Sequence, residues 1–426
     1  MPNPFPSSRV CTPGETHLYA VFCEKCDRVI DSEIYRPVCQ DCGGALVFNY
    51  LDTTFRRSEP VHSMWKYRGQ LPVWDASKIV TLGEGDTPLI RARADHGVDL
   101  YFKNETVNPT GSHKDRALSI AITKATEFGF DACMLYSDGS AALSSAAYAA
   151  RAGMHNIALV PQGAPDYRLL PLLVYDSTVL EYAGSAADAL DWVHAACQEL
   201  DLYETTTYRR ANPYQSEGPK TIAYEIADQL GFVPDWCLVP VGGGGTLSGI
   251  WRGFCDLRDY GESAKLPKLA GILPEHYTLL QDGLDDGIST DLELRGLAGA
   301  AVHPAPETAQ AKLAMAFPPD GIEAIAAIRN SGGVFLNVSD PEAFAAQMEL
   351  GSQEGLYAEI SAVVSYAALT KLRHSGTIQR GETVVVLLSG SGFREIGELA
   401  RTLPVKKIQV DQHSGIKTLT RVLQGL

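Results

Sequence analysis

Between Trp236 and Phe254 the chain reads WCLVPVGGGGTLSGIWRGF: an apolar run, four consecutive glycines, then a stretch with helical spacing. An apolar run without polar alternation fits a strand buried on both faces, and such strands belong to parallel sheets covered by helices. The alternation recurs along the chain. DLYFKNE, DACMLYS, NIALVP, STVLEYA and TVVVLLSGSGF read as strands. Residues 115–128, DGSAALSSAAYAARAG and TIAYEIADQLG read as helices, the last two closed by glycine. This order predicts an α/β protein built on parallel sheets. At 426 residues there is room for two or three domains. The expected division is a small module of short strands at 1–50 (HLYAVFC, ALVFNY), a large α/β domain at 51–125 and 209–426, and a smaller mobile α/β domain at 126–208. Residues from about 404 to 426 read as an appended tail.

Four of the nine cysteines are paired in sequence: Cys23-Glu-Lys-Cys26, twelve residues, then Cys39-Gln-Asp-Cys42. Thiolates spaced two apart on tight knuckles share one tetrahedral metal, and two knuckles complete its shell. Gly43-Gly44 supplies the turn after the second pair. Disulfides or free thiols are the alternative, and zinc is the expectation for a chain expected in the cytoplasm. Four sulfurs leave no open position, so the zinc is expected to be structural. Cys11, Cys133, Cys197, Cys237 and Cys255 are scattered and read as core or incidental residues.

The balance of 36 basic against 51 acidic residues gives −15, which argues against nucleic acid or an anionic membrane as partner. No apolar run reaches the length of a membrane span, and MPNPFPSSRV has neither an apolar signal core nor an Arg-rich pattern. A cytoplasmic location is the expectation.

Two stretches carry chemistry. Gly242, Gly243, Gly244 and Gly245 follow an apolar strand and precede a helix, so successive N–H groups can converge on an anion aided by the helix dipole. The run is neither a Walker loop nor a spaced dinucleotide fingerprint, and it fits a small fixed phosphate. A tight turn is the plainer reading, but one or two glycines suffice for a turn. The second stretch is NPTGSHKDRA, residues 108–117, which sets Lys114 at the mouth of a helix. A lysine there is mildly disfavoured by the dipole, so either it points into water or its amine is needed in place. A phosphate cradle, a placed amine and a hydroxyl at a strand end (Ser389 in LLSGSG) are what pyridoxal phosphate requires.

The chain resembles the fold-type II pyridoxal-phosphate enzymes, and within them threonine synthase and cysteate synthase relatives. LGEGDTPLI (82–90), FKNETVNPTGSHKDRA, AAYAARAG, NPYQSEGPKTIAYEIADQLG, VPDWCLVPVGGGG and EGLYAEISA carry the likeness in order. The resemblance implies a tryptophan synthase β-like fold: two parallel-sheet α/β domains behind a zinc-ribbon-like module, the cofactor in the cleft between them, and a homodimer. It implies that Lys114 forms the Schiff base and then shuttles the proton, that Gly242 to Gly245 and Thr246 hold the cofactor phosphate, and that Ser389 faces the ring nitrogen. A hydroxyl there makes a weaker electron sink than a carboxylate, which favours elimination and replacement. His113 reads as a packed neighbour, or as a contact to the phosphate or ring.

The likeness breaks at the substrate end. Where threonine synthase has Ser-Ser-Gly-Asn-Thr, this chain has Ser137, Asp138, Gly139, Ser140 and Ala141. Ser140 is expected to keep the bond to the ring hydroxyl. Ala141 donates nothing, and an Asp138 carboxylate would repel a substrate carboxylate. The family arginine that binds the phosphate of O-phosphohomoserine is replaced by Gln215, with Arg209 and Arg210 as candidate substitutes. Lys103 matches a family lysine near that phosphate. The expected function is β- or γ-elimination with replacement on an activated amino acid, its leaving group phosphate or another. A dehydratase or ammonia-lyase, a cysteate synthase-like β-replacement, and a non-catalytic relative are the alternatives.

Overall fold

The computed structural model describes residues 19–51, 54–58, 62–300, 307–397, 407 and 415–424. Residues 1–394 form one compact unit and 395–426 a second. Among the described residues, the first unit contains three sheets. A small antiparallel sheet has β1 (Tyr19–Cys23) between β2 (Val29–Ile30) and β3 (Leu46–Tyr50).

The six-stranded sheet uses β4 (Leu89–Arg91), β5 (Asp99–Asn104), β10 (Trp236–Pro240), β11 (Lys268–Pro274), β12 (Val334–Val338) and β13 (Thr383–Leu388). Its order is β12-β11-β10-β13-β5-β4, parallel throughout except for the antiparallel edge strand β4. The four-stranded sheet is wholly parallel, in the order β8-β7-β6-β9, from β6 (Ala132–Tyr136), β7 (His155–Pro161), β8 (Thr178–Tyr182) and β9 (Tyr203–Glu204).

The helices are α1 (Lys114–Phe128), α2 (Ser140–Ala152), α3 (Asp166–Val174), α4 (Ala186–Glu199), α5 (Lys220–Leu230), α6 (Gly245–Asp259), α7 (Leu279–Asp285), α8 (Asp291–Ala300), α9 (Gly321–Ser331), α10 (Asp340–Glu349) and α11 (Ile360–His374). Alternate residues of β13 show how the large sheet is covered. Val385 and Leu387 pack with residues of α5, α6 and α9, while Val384, Val386 and Leu388 pack with α10 and α11. Burial on both faces explains the continuous apolar run, since no position is left for a polar residue. The two expected glycine stops are present, Gly153 closing α2 and Gly231 closing α5 in the left-handed conformation, and Gly129 closes α1 in the same way.

The second unit contributes α12 (Gly415–Gln424), and most of the expected tail lies outside the described residues. Among the described residues, no helix is long and apolar enough to cross a membrane.

Strand order decides where chemistry can sit. β13 lies between β10 and β5, so the loops leaving their carboxyl ends are neighbours. Those loops carry the glycine run, Ser389 and the approach to Lys114. In the other sheet β6 and β9 are adjacent, and their carboxyl ends lead to residues 137–141 and to Thr207. Ligands of open α/β sheets bind at such ends.

Candidate active site

Lys114 is the first residue of α1, and the segment before it is pinned on both sides. The Thr110 backbone N–H donates to Asp115 Oδ2 (2.7 Å), Ser112 bridges Gly390, and the His113 N–H donates to the Ser389 carbonyl (2.9 Å). Gly111 has φ +78°, and a Cβ there would stand 2.9 Å from Arg394 Cδ, so no other residue fits comfortably. Asp115 also accepts from Ser144 Oγ and so ties α1 to α2. Lys114 Nζ donates to Thr207 Oγ1 at 3.1 Å. Burial pulls its pKa down to about 8, with Asp320 partly opposing. The amine is therefore held in place and partly free of its proton near neutrality.

His113 is more than a packed neighbour. Its Nδ1 lies 3.0 Å from the Ser389 carbonyl oxygen, which only accepts, so Nδ1 carries the proton. Nε2 is then an acceptor, and the Thr246 hydroxyl, 3.0 Å away, donates to it. Burial, with the Lys114 charge beside it, pushes the His113 pKa down to about 4, so the ring is neutral at pH 7. One imidazole thus links the Ser389 strand end to the glycine loop.

A small cavity of about 10 Å³ brings together His113, Lys114, Thr207, Gln215, Gly245 and Thr246. The glycine run borders it, and its other side is packed against residues 312–320. A Cβ on Gly242 would lie 2.8 Å from the Lys312 carbonyl oxygen, and one on Gly244 (φ +95°) 2.4 Å from that of Asp320. Close packing thus asks for these glycines as well as any anion does.

The remaining expected residues divide. Ser140 opens α2 and accepts from Arg394 Nη1 at 2.7 Å, and Ser137 Oγ accepts the Gly139 N–H at 3.1 Å. Asp138 is paired with Arg168 at 3.0 Å, which offsets the repulsion expected of its carboxylate. Ala141 is buried with Leu135 and Ala158 in the core. Lys103 is not brought to the cavity: its buried amine donates to Glu225 (2.6 Å), the Thr87 carbonyl (2.7 Å) and Gln229 (3.0 Å). All three donors are spent, so the expectation that it meets a substrate phosphate is corrected. Arg209 and Arg210 do not replace the missing arginine either. Arg209 reaches the Leu46 carbonyl, Glu24 and Glu323, and Arg210 pairs with Asp291. Thr207, Arg394, Lys312 and Asp320 went unread in the sequence. TTTYRR and FPPDG show no spacing that distinguishes them from ordinary loops.

Around the first sheet, Cys23, Cys26, Cys39 and Cys42 place their sulfurs within 4.8 Å of one another. That suits one tetrahedral ion with metal–sulfur bonds of about 2.3 Å. A Cβ on Gly44 would stand 2.7 Å from Cys23 Sγ and 3.3 Å from Cys42 Sγ, so the knuckle requires glycine there. Cys133, Cys197 and Cys237 are buried, Cys255 is half-buried, and Cys11 lies outside the described residues.

The residues fit pyridoxal phosphate. An amine of lowered pKa lies beside a glycine loop that opens a fifteen-residue helix. The Ser389 hydroxyl, at the end of β13, makes no hydrogen bond among the described residues and so can meet a ring nitrogen.

Residues 80–390 match the family described as pyridoxal-phosphate dependent enzyme. The chain belongs to that family, as a fold-type II α/β protein. It is 35% identical to threonine synthase of Methanocaldococcus jannaschii over 95% of this chain and 99% of that protein, which makes it threonine synthase-like. The fold is shared with an O-ureido-L-serine synthase (TM-score 0.61, 20% identity, 75% of this chain and 94% of that one). It is shared also with an L-serine ammonia-lyase of Rhizomucor miehei (TM-score 0.59, 17% identity, 74% and 98%).

Proposed function

We propose that this enzyme removes a group from the side chain of a small amino acid, by elimination with or without replacement. Lys114 would hold the cofactor and then serve as the base. The observation that carries this reading is the Lys114 amine: held by Thr207, lowered to about 8 by burial, and sharing a cavity with Gly245 and Thr246. When bound, pyridoxal phosphate supplies the electron sink that makes the substrate Cα proton acidic. The chain's residues do the rest. Backbone N–H groups from Gly242 to Thr246 would receive the phosphate. The Thr246 hydroxyl proton stays directed at His113. Ser389 would face the ring nitrogen, and Ser140, with Arg394 behind it, the ring hydroxyl. Lys114 Nζ would take the Cα proton at a pKa suited to neutral pH. The Ser137–Ala141 loop would receive the substrate carboxylate. Zinc on the four cysteines would be structural, and a homodimer is the assembly expected from the resemblance.

The test is a visible absorbance scan of the cofactor-loaded protein against O-phosphohomoserine, O-phosphoserine, threonine and 2,3-diaminopropionate, with product analysis. A new amino acid marks replacement, and ammonia with a keto acid marks elimination alone. A protein that forms no bound-cofactor band after addition of pyridoxal phosphate sinks the assignment of Lys114.

A further inference from the structure

Ser140 holds a proton for which the chain supplies no acceptor. The residue opens α2 and is buried, and its Oγ accepts from Arg394 Nη1 at 2.7 Å. A guanidinium only donates, so this bond leaves the serine O–H free to donate in turn. Among the described residues that hydroxyl donates to nothing. Arg394 is held in place for the contact. Its backbone N–H donates to the Ser391 carbonyl (3.3 Å), and its Cδ lies 2.9 Å from where a Cβ on Gly111 would stand. Its Nε is buried and has no hydrogen-bond partner among the described residues.

The packing sets this donor beside the amine. Ser144, one turn along α2, donates to Asp115, the residue after Lys114. Residues four apart share a helix face, so Ser140 lies on the side of α2 turned to the first turn of α1. The Ser391 N–H donates to the Gly111 carbonyl (2.8 Å), and Ser112 bridges Gly390. The strand end that carries Ser389 and the approach to Lys114 therefore meet against Arg394. The other charged and titratable groups around this point are engaged or neutral. Asp138 pairs with Arg168, and Glu359, which also feels the Arg394 charge, is taken by Lys312. Asp115 accepts from Thr110 and Ser144, Lys114 donates to Thr207, and His113 is neutral. Arg394 brings a positive charge, and through Ser140 a directed proton, to a place where the chain offers no acceptor.

We propose, resting on the reading of Lys114 as the cofactor lysine, that Arg394 is a positioning residue: it fixes the Ser140 hydroxyl as a donor to the cofactor's ring oxygen and so holds that oxygen as an oxyanion. An ionised oxygen accepts a hydrogen bond more strongly than a protonated one, and the guanidinium behind Ser140 favours the negative form further. The proton that the ring oxygen gives up rests on the nitrogen contributed by Lys114. That nitrogen stays cationic, and the carbon bonded to it stays open to attack by the amine of an incoming substrate.

The experiment follows the absorbance of the cofactor-loaded protein against pH, since protonation of the ring oxygen moves the bound-cofactor band to shorter wavelength. The wild type should keep its visible band from about pH 9 down to about pH 6. Arg394→Met is expected to raise the midpoint of the shift by about one pH unit or more. Ser140→Ala should move it the same way, and the double variant no further than either alone, as for two residues acting in series. Arg394→Lys, which keeps the charge, should recover most of the wild-type titration. An Arg394→Met protein that titrates like the wild type overturns the proposal. If that variant also raises KM for the amino acid, the guanidinium serves the substrate carboxylate instead. Should circular dichroism show Arg394→Met unfolded, Ser140→Ala decides, and an unmoved titration there overturns the proposal equally. A wild type that binds no cofactor removes the Lys114 reading and this inference with it; a normal wild-type band with unmoved variants removes this inference alone.

Discussion

Lys114 and Arg116 lie two residues apart on α1, and the fold treats their charges in opposite ways. Arg116 is fully buried, and its donors all find partners: Glu105 at 2.7 Å twice, Glu225 at 2.6 and 2.8 Å, Thr221 at 2.9 Å and Thr87 at 3.2 Å. With Lys103 on Glu225, the cluster holds two cations and two carboxylates. Its charges sum to zero, the guanidinium is driven above its usual range, and both carboxylates are held below theirs. Lys114, by contrast, makes one hydrogen bond to a neutral hydroxyl. The first arrangement fixes geometry. It joins α1 and α5 to the segments on either side of β5, and so sets where the first turn of α1 can lie. The second leaves a charge under-supported, which is how a reactive group is made. Rigidity two residues away is what keeps the reactive amine in position.

The sharpest way to break the comparison is to truncate each side. Lys114→Ala is expected to lower turnover by about 10⁴-fold or more, with no fall in the thermal midpoint. A buried amine with one neutral partner supports the fold little. Glu225→Gln is expected to do the reverse first: it leaves Arg116 and Lys103 with Glu105 as their carboxylate and costs about 3–5 kcal/mol of stability. Denaturant melts of the two variants decide. Equal losses of stability would show that Lys114 belongs to the framework after all.

The same contrast explains what the sequence could and could not reveal. Strands β10 and β13, buried on both faces, announce themselves as apolar runs. The glycine loop and Lys114 sit within a few residues of such strands or of a helix start, so their placement is local. The fate of Lys103 is not local. Its partner Glu225 lies 122 positions away on α5, and nothing in FKNE shows whether the amine will meet a carboxylate or a cavity. Asp138 likewise reads as a bare charge until folding brings Arg168 to it. Asp320 is the extreme case: FPPDG reads as a turn, and only packing of that turn against Gly244 and Gly245 brings its carboxyl beside the glycine loop. Local pattern shows which residues have chemistry to offer, and long-range pairing decides which of them are left free to use it.

The cysteine module tests a further link between framework and site. Arg209 donates to the Leu46 carbonyl, Tyr50 OH donates to Glu217 at 2.8 Å, and Phe48 packs on Tyr214 at 5.1 Å. The module therefore grips both sides of Gln215. Removing metal with a chelator is expected to lower the thermal midpoint by about 5 °C, modest because these aromatic contacts remain. Metal analysis before and after should give one zinc per chain. A protein that purifies without metal and melts identically with or without chelator would assign the four thiols no structural ion.

The smallest expected effect is a pH dependence, and it separates the two charges most directly. Lys114 has a pKa lowered from 10.5 to about 8, chiefly by burial. Burying the ammonium opposes folding, so its contribution to stability is largest above the unfolded pKa and is lost as pH falls through about 8. The same shift sets reactivity, because capture of pyridoxal phosphate needs the free amine. Between pH 7 and pH 8 the free fraction rises about fivefold, and between pH 8 and pH 9 less than twofold. An ordinary lysine would gain about tenfold in each interval. The rate of appearance of the bound-cofactor band, followed by stopped flow, should therefore level off above about pH 8. Asp320→Asn removes the charge that supports the ammonium, so its plateau should begin at lower pH. A rate that climbs steadily through pH 9 would place Lys114 in water, with no more constraint than a surface side chain.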